Sequence, residues 1–96
     1  MVWQPPVTVA ITTASAIAVP ANASRRMLLI QVNGAADVAI APSAAGATPA
    51  TIAGGILLSA NVLGTTYPGG TWEESHTGAV TAIGRAASSI TYSEAL

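Results

Sequence analysis

Ninety-six residues with three Arg, no Lys, four acidic side chains, a net charge of -1 and no Cys describe one small, nearly uncharged domain, since a core needs most of a chain this short. So weak a charge argues against a nucleic-acid or anionic-membrane partner, and the absence of Cys removes disulfides, thiolate metal ligands and thiol nucleophiles together. With 51% hydrophobic residues, 4% aromatic and no Phe, and a mean hydropathy of +0.56, much apolar surface must stay outside so small a core, which points to cover by neighbouring subunits.

Residues 1–6 read as an extended arm. Pro5 and Pro6 favour polyproline geometry and withhold backbone donors, leaving Trp3 as its anchor. No basic segment precedes these prolines, so a secretory signal is not expected, and no apolar run approaches the roughly 20 residues of a membrane span. Val7, Val9 and Ile11 alternate with Thr8 and Ala10, the two-residue period of a half-buried strand. Ile17 and Val19 repeat it before Pro20, with Thr12 to Ala16 as a bend or bulge.

From Arg26 to Val32, Met27, Leu29 and Gln31 occupy one face and Leu28, Ile30 and Val32 the other, which predicts a central strand. Asn33-Gly34 then suggests a hairpin into a run carrying Val38 and Ile40. Between Pro42 and Gly55, Pro and Gly interrupt every window in which the Ala content could propagate a helix. Ile56 to Ser59 reads as a strand, 61–70 as a long loop, and Trp72 as the start of another strand. Ala79 to Ile83 and Ser89 to Ser93 follow as a second predicted hairpin. The expectation is all-β: a single β-sandwich or jelly-roll-like domain of seven to eight short antiparallel strands over 7–96, preceded by the arm. Periodicity does not choose between jelly-roll and immunoglobulin wiring.

Few side chains offer chemistry. Glu74 and His76 would share one side of an extended chain, which a divalent metal could use only with further ligands, and a solvated strand end explains them as well. Ser75 beside His76 projects oppositely and lacks a Gly-x-Ser-x-Gly elbow. Gly54-Gly55 and Gly69-Gly70 lack the Lys of a phosphate loop and read as turns. No catalytic residue, metal site or cofactor is expected. The contact candidates are Trp3, Arg25, Arg26 and Trp72. An Arg can bind a carboxylate of its own or a neighbouring subunit, or simply be solvated, and a Trp can anchor an interface or fill the core. For Trp3 a contact is favoured, for Trp72 the core.

The segment Asn22-Ala23-Ser24-Arg25-Arg26-Met27-Leu28-Leu29-Ile30-Gln31-Val32-Asn33 resembles small virion proteins of tailed bacteriophages, in which an Arg-bearing turn leads into a strand of the form Leu-x-Ile-Gln-x-Asn. Gly55 to Leu58, Thr77 to Ile83 and Ile90 to Glu94 agree in part, so the resemblance covers roughly residues 20 to 94. The long Ser59 to Gly70 segment and the Ala-rich loop after Ile40 depart from it. It implies a noncatalytic β-sandwich of the capsid decoration or head-fibre type. The expected partner is the major capsid protein or another virion protein at the outer capsid surface, bound as a homo-oligomer with a trimer as one form. The alternative is a fibre or tail-tip domain that holds host-surface glycan through the 61–70 loop and Trp72.

Overall fold

Alternation of small apolar and polar side chains makes the strands, and it is clearest in β3 (Met27–Val32). There Leu28, Ile30 and Val32 are fully buried while Met27, Leu29 and Gln31 remain partly open. In the computed structural model, which describes residues 1–43, 49–61 and 69–96, β3 is one of eight strands, with no helix among the described residues. The others are β1 (Val7–Ile11), β2 (Ala16–Val19), β4 (Val38–Pro42), β5 (Ile56–Leu58), β6 (Thr71–Glu74), β7 (Val80–Gly84) and β8 (Ser88–Ala95).

Two four-stranded antiparallel sheets result, β1-β8-β3-β6 (sheet 1) and β2-β7-β4-β5 (sheet 2). The pairs β1 with β8, β2 with β7, β3 with β6 and β4 with β5 are those of one long hairpin folded in half at the β4–β5 connection. Rolling that hairpin adds the contacts of β3 with β8 and β4 with β7, which is jelly-roll wiring.

This wiring corrects both expected hairpins. β3 and β4 lie in different sheets, as do β7 and β8. Asn33-Gly34 and the 84–88 turn therefore carry the chain between layers instead of returning it to its own sheet. The reason is pairing: both edges of β3 are taken, by β6 and β8, so β4 joins the other sheet, where Val38 shares the core with Val32. The core joins Ile11, Val19, Leu28, Ile30, Val32, Val38, Ile40, Leu58, Val80 and Ile90, with Val9, Trp72 and Tyr92 packed against it.

The two outer faces differ. On sheet 2, Ala39 stands between Leu57 and Ile83, and Thr81 between Ala41 and Ile17. Ala39 and Thr81 are nevertheless 0% and 3% exposed, because the chain returning to β5 crosses this face. The Ala50 N–H donates to Ser15 Oγ at 2.9 Å beside β2, while Gly55 lies so near Ala39 at the β5 edge that an added Cβ would be 3.0 Å from the Ala39 Cβ. On sheet 1 the outward positions include Thr8, Thr91, Gln31 and Thr71 in one row and Ser93, Leu29 and Glu73 in the next, and all are partly or fully exposed. The accessible area of 5160 Å² is close to the roughly 5,000 Å² expected for this mass, so the apolar exposure reflects distribution and not loose packing.

Ile30 sits at the centre of the inner row, between Tyr92 and Trp72. Urea unfolding should show a loss of about 0.5–1.5 kcal/mol for Ile30→Val and about 2–5 kcal/mol for Ile30→Ala, because the rigid strands around it cannot collapse into the void. Equal losses for the two would contradict that packing.

Candidate functional site

The predicted contact residues separate into three environments. Arg25 belongs to the interior, 3% exposed. Its Nε donates to the His76 carbonyl at 2.7 Å, Nη1 to the Pro20 carbonyl at 3.1 Å and to Glu94 Oε1 at 2.6 Å, and Nη2 to the Gly78 carbonyl at 2.7 Å. The carboxylate it pairs with is thus its own chain's, through one oxygen, and the guanidinium plugs the end of the sandwich where the β2–β3 and β6–β7 connections meet β8. Around it, Asn22 accepts the Ser24 N–H on Oδ1 at 3.0 Å and donates its own N–H to the Thr77 carbonyl at 2.8 Å. Asn22-Ala23-Ser24 is therefore a turn whose side chain is used locally. Gly78 has no room for a side chain, since a Cβ there would collide with the Ser43 carbonyl oxygen. Burial removes Arg25 from any contact surface.

Trp3 and Arg26 come together instead. Trp3 forms an antiparallel bridge with Ala95, and the Arg26 N–H donates to the Ala95 carbonyl at 2.7 Å, so the two residues flank one position of β8. The arm is tethered, which corrects the reading of Trp3 as its anchor. Val2 and Leu96 exchange backbone hydrogen bonds at 2.7 and 2.8 Å, the Gln4 N–H donates to the Glu94 carbonyl at 2.7 Å, and Ser93 Oγ donates to the Gln4 carbonyl at 2.8 Å. Backbone holds the arm, while the Trp3 side chain remains 46% exposed.

The arm continues β1 along β8 with a slip of one residue. Gln4 stands at Glu94 and Val7 at Tyr92, leaving Pro5 and Pro6 opposite Ser93 alone. Two residues facing one is a β-bulge, and prolines suit it because they have no N–H to donate. The bulge also re-aims Trp3. Unbroken alternation from the inward Val7 would turn Trp3 inward, whereas the slip sets it opposite Ala95, which stands opposite Met27 on the outer face. Trp3, Met27 and Leu29 thereby form the apolar end of the open face of sheet 1. Beyond them lie uncharged groups that bond one another: Thr8 and Thr91 hydroxyls at 3.1 Å, Asn33 Nδ2 donating to Thr91 Oγ1 at 2.7 Å, and Ser89 Oγ donating to Asn33 Oδ1 at 2.6 Å.

Trp72 lies on edge strand β6, packs partly against the core and meets the His76 ring edge-on at 6.1 Å. Among the described residues no three His, Asp or Glu side chains cluster as a metal would require. The glycan reading of the 61–70 loop rests mainly on residues 62–68, which lie outside the described residues. Sequence reasoning missed Glu94 as the carboxylate for Arg25, since its only signal was inward parity with Leu28. It placed Met27 and Leu29 on one face but did not name them beside Trp3, with which the structure groups them.

Arg25→Met should cost about 3–5 kcal/mol in urea unfolding, because it leaves Glu94 without its cation. Arg25→Met combined with Glu94→Leu should cost less than the sum of the two single changes, by at least about 1 kcal/mol in a double-mutant cycle; strict additivity would show that the pair is not coupled. Comparison of the chain with protein-family models, with curated proteins and with solved structures finds no match.

Proposed function

We propose that this protein is a noncatalytic structural component of a tailed-bacteriophage virion, a decoration or cement protein that binds the major capsid protein on the outer shell surface as an oligomer and reinforces it. The observation that carries the reading is the asymmetry of the two faces. Ala50 and Gly55 of the β4–β5 connection lie against sheet 2, whose Ala39 and Thr81 are buried, whereas sheet 1 presents Trp3, Met27 and Leu29, with Glu73 beside Leu29, next to an uncharged row of Thr and Gln. Aromatic and Met side chains with few charges are what the centre of a protein–protein interface is enriched in. The resemblance of residues 20–94 to phage virion proteins adds to it, and jelly rolls recur in capsid domains, although the fold serves many other functions.

Magnitude explains why an oligomer belongs to the proposal. Four strands spaced about 4.8 Å apart and about 20 Å long make a face of roughly 400 Å² in projection, near half of the 800 Å² per partner of a standard interface. One copy would hold weakly. Linked copies convert later contacts into intramolecular ones and raise the effective affinity without further chemistry.

Co-sedimentation with assembled capsid shells tests this. Wild type should pellet with shells, and Leu29→Glu should lower the bound fraction at least tenfold while its far-UV spectrum stays unchanged. Leu57→Glu, on the β5 edge, should bind like wild type. Failure of wild type to pellet, or equal binding by Leu29→Glu, would remove the proposal.

A further inference from the structure

Exposed apolar side chains gather on one side of the sandwich. Of the eight large hydrophobics that are most open among the described residues, Met1, Val2, Trp3, Val7 and Ile17 belong to the first seventeen residues, and Leu96 is paired through its backbone to Val2. The other two of these, Ile56 and Leu57, lie on β5. β1 and β2 are the outermost strands of their sheets on this side, and residues 1–24 contain no charged side chain. Together they form a wall without charged side chains. The other edge is guarded at β6 by Glu73 and Glu74.

The wall has a protrusion at one end and a recess at the other. The arm extends past the start of β1. At the far end, a groove of about 80 Å³ between β1 and β2 is lined by Val9, Ile11, Ala14, Ala16, Ile17 and Ala18 among others, none of them charged. That volume is roughly half of the 150 Å³ cavity that accepts benzene, so it suits a branched aliphatic side chain and excludes an indole. Val2 and Ile11 are about 30 Å apart along the strand at roughly 3.3 Å per residue. The arm's backbone is held to residues 94–96, so no molecule can fill its own groove.

We infer that two copies of this chain pack wall to wall about a two-fold axis passing near Val7. Such an axis exchanges the two ends of the wall, seating each Val2 in the partner's groove. Both recesses are filled at once and the assembly closes, as an isologous contact requires. The area is close to sufficient: Met1, Val2, Val7, Ile17 and Leu96, each about half exposed, offer on the order of 400 Å² of apolar surface, with Trp3 left on the open face of sheet 1. A standard interface of about 800 Å² per partner, about 57% apolar, uses roughly 450 Å². No charged side chain of residues 1–24 has to shed water. The dimer is two-fold, in place of the trimer considered from sequence, and does not depend on the shell reading because it leaves the open face of sheet 1 free.

Sedimentation equilibrium of the full chain should give a dimer with micromolar or tighter affinity. Ile17→Lys should make it monomeric without altering its far-UV spectrum, and Leu57→Lys should leave the dimer intact. Because the chain has no Cys, a short bis-maleimide reports single sites. Val7→Cys should cross-link to itself, and Val2→Cys should cross-link to Ile17→Cys in a mixture of the two while neither does so alone. A monomeric wild type, a trimer, or a dimer that survives Ile17→Lys would overturn the inference. Loss of shell binding by Leu29→Glu with the dimer intact would bear on the shell proposal alone.

Discussion

The guanidinium of Arg25 is the constraint on which the rest of the molecule is hung. Rolling a long hairpin into two layers brings two connections and the end of β8 to one point, where the carbonyls of Pro20, His76 and Gly78 and the carboxylate of Glu94 all need donors. Acceptors cannot pair with one another, and a buried polar group without a partner costs roughly 1–3 kcal/mol. A planar cation with five N–H groups answers all four, which neither Lys nor a neutral side chain can do. By holding Glu94, Arg25 also sets the position of residues 94–96, the strip on which the arm, and with it Trp3, is laid.

Small side chains explain how a chain so poor in rings and charge closes a sandwich at all. Ala39, Ala50 and Gly55 let the chain leading into β5 lie close on sheet 2, so Ala39 and Thr81 in the middle of its outer face are taken from water by the chain itself, while Ile17 and Leu57 towards its edges stay exposed. Among the described residues no comparable segment crosses sheet 1. On its outer side Thr8, Thr91, Asn33 and Ser89 keep their hydroxyl and amide groups occupied with one another, which gives a stretch of surface that is polar yet has little hydration to lose. Such a face favours broad contact with another protein over capture of a charged ligand.

The two proposed contacts use different parts of the molecule, the wall of edge strands between copies and the open face of sheet 1 toward a shell. The bulge at Pro5-Pro6 makes this division possible. It turns Trp3 onto the outer face while Val2 stays with the wall, and its two prolines present no N–H groups to an approaching strand. One small irregularity thus gives neighbouring apolar residues separate partners.

Where strands would form, and which side of each would be buried, was written in the residues. Leu28, Ile30 and Val32 against Met27, Leu29 and Gln31 follow from period two alone, and the all-β class follows from the Pro and Gly that break the Ala-rich stretches. Pairing was not written there. Alternation says that a strand has an inner face but is silent on which neighbour shares its sheet, so Asn33-Gly34 looked like a hairpin, although β6 and β8 take both edges of β3 and the chain passes to the other layer. The same limit hid Arg25. Beside Arg26 in the chain it looks like one of two equivalent cations, and only the meeting of Pro20, His76, Gly78 and Glu94 from distant parts of the sequence makes it interior. Local chemistry decided the elements; contacts between residues as far apart in the chain as Val2 and Leu96, whose energies exist only once the layers close, decided their arrangement.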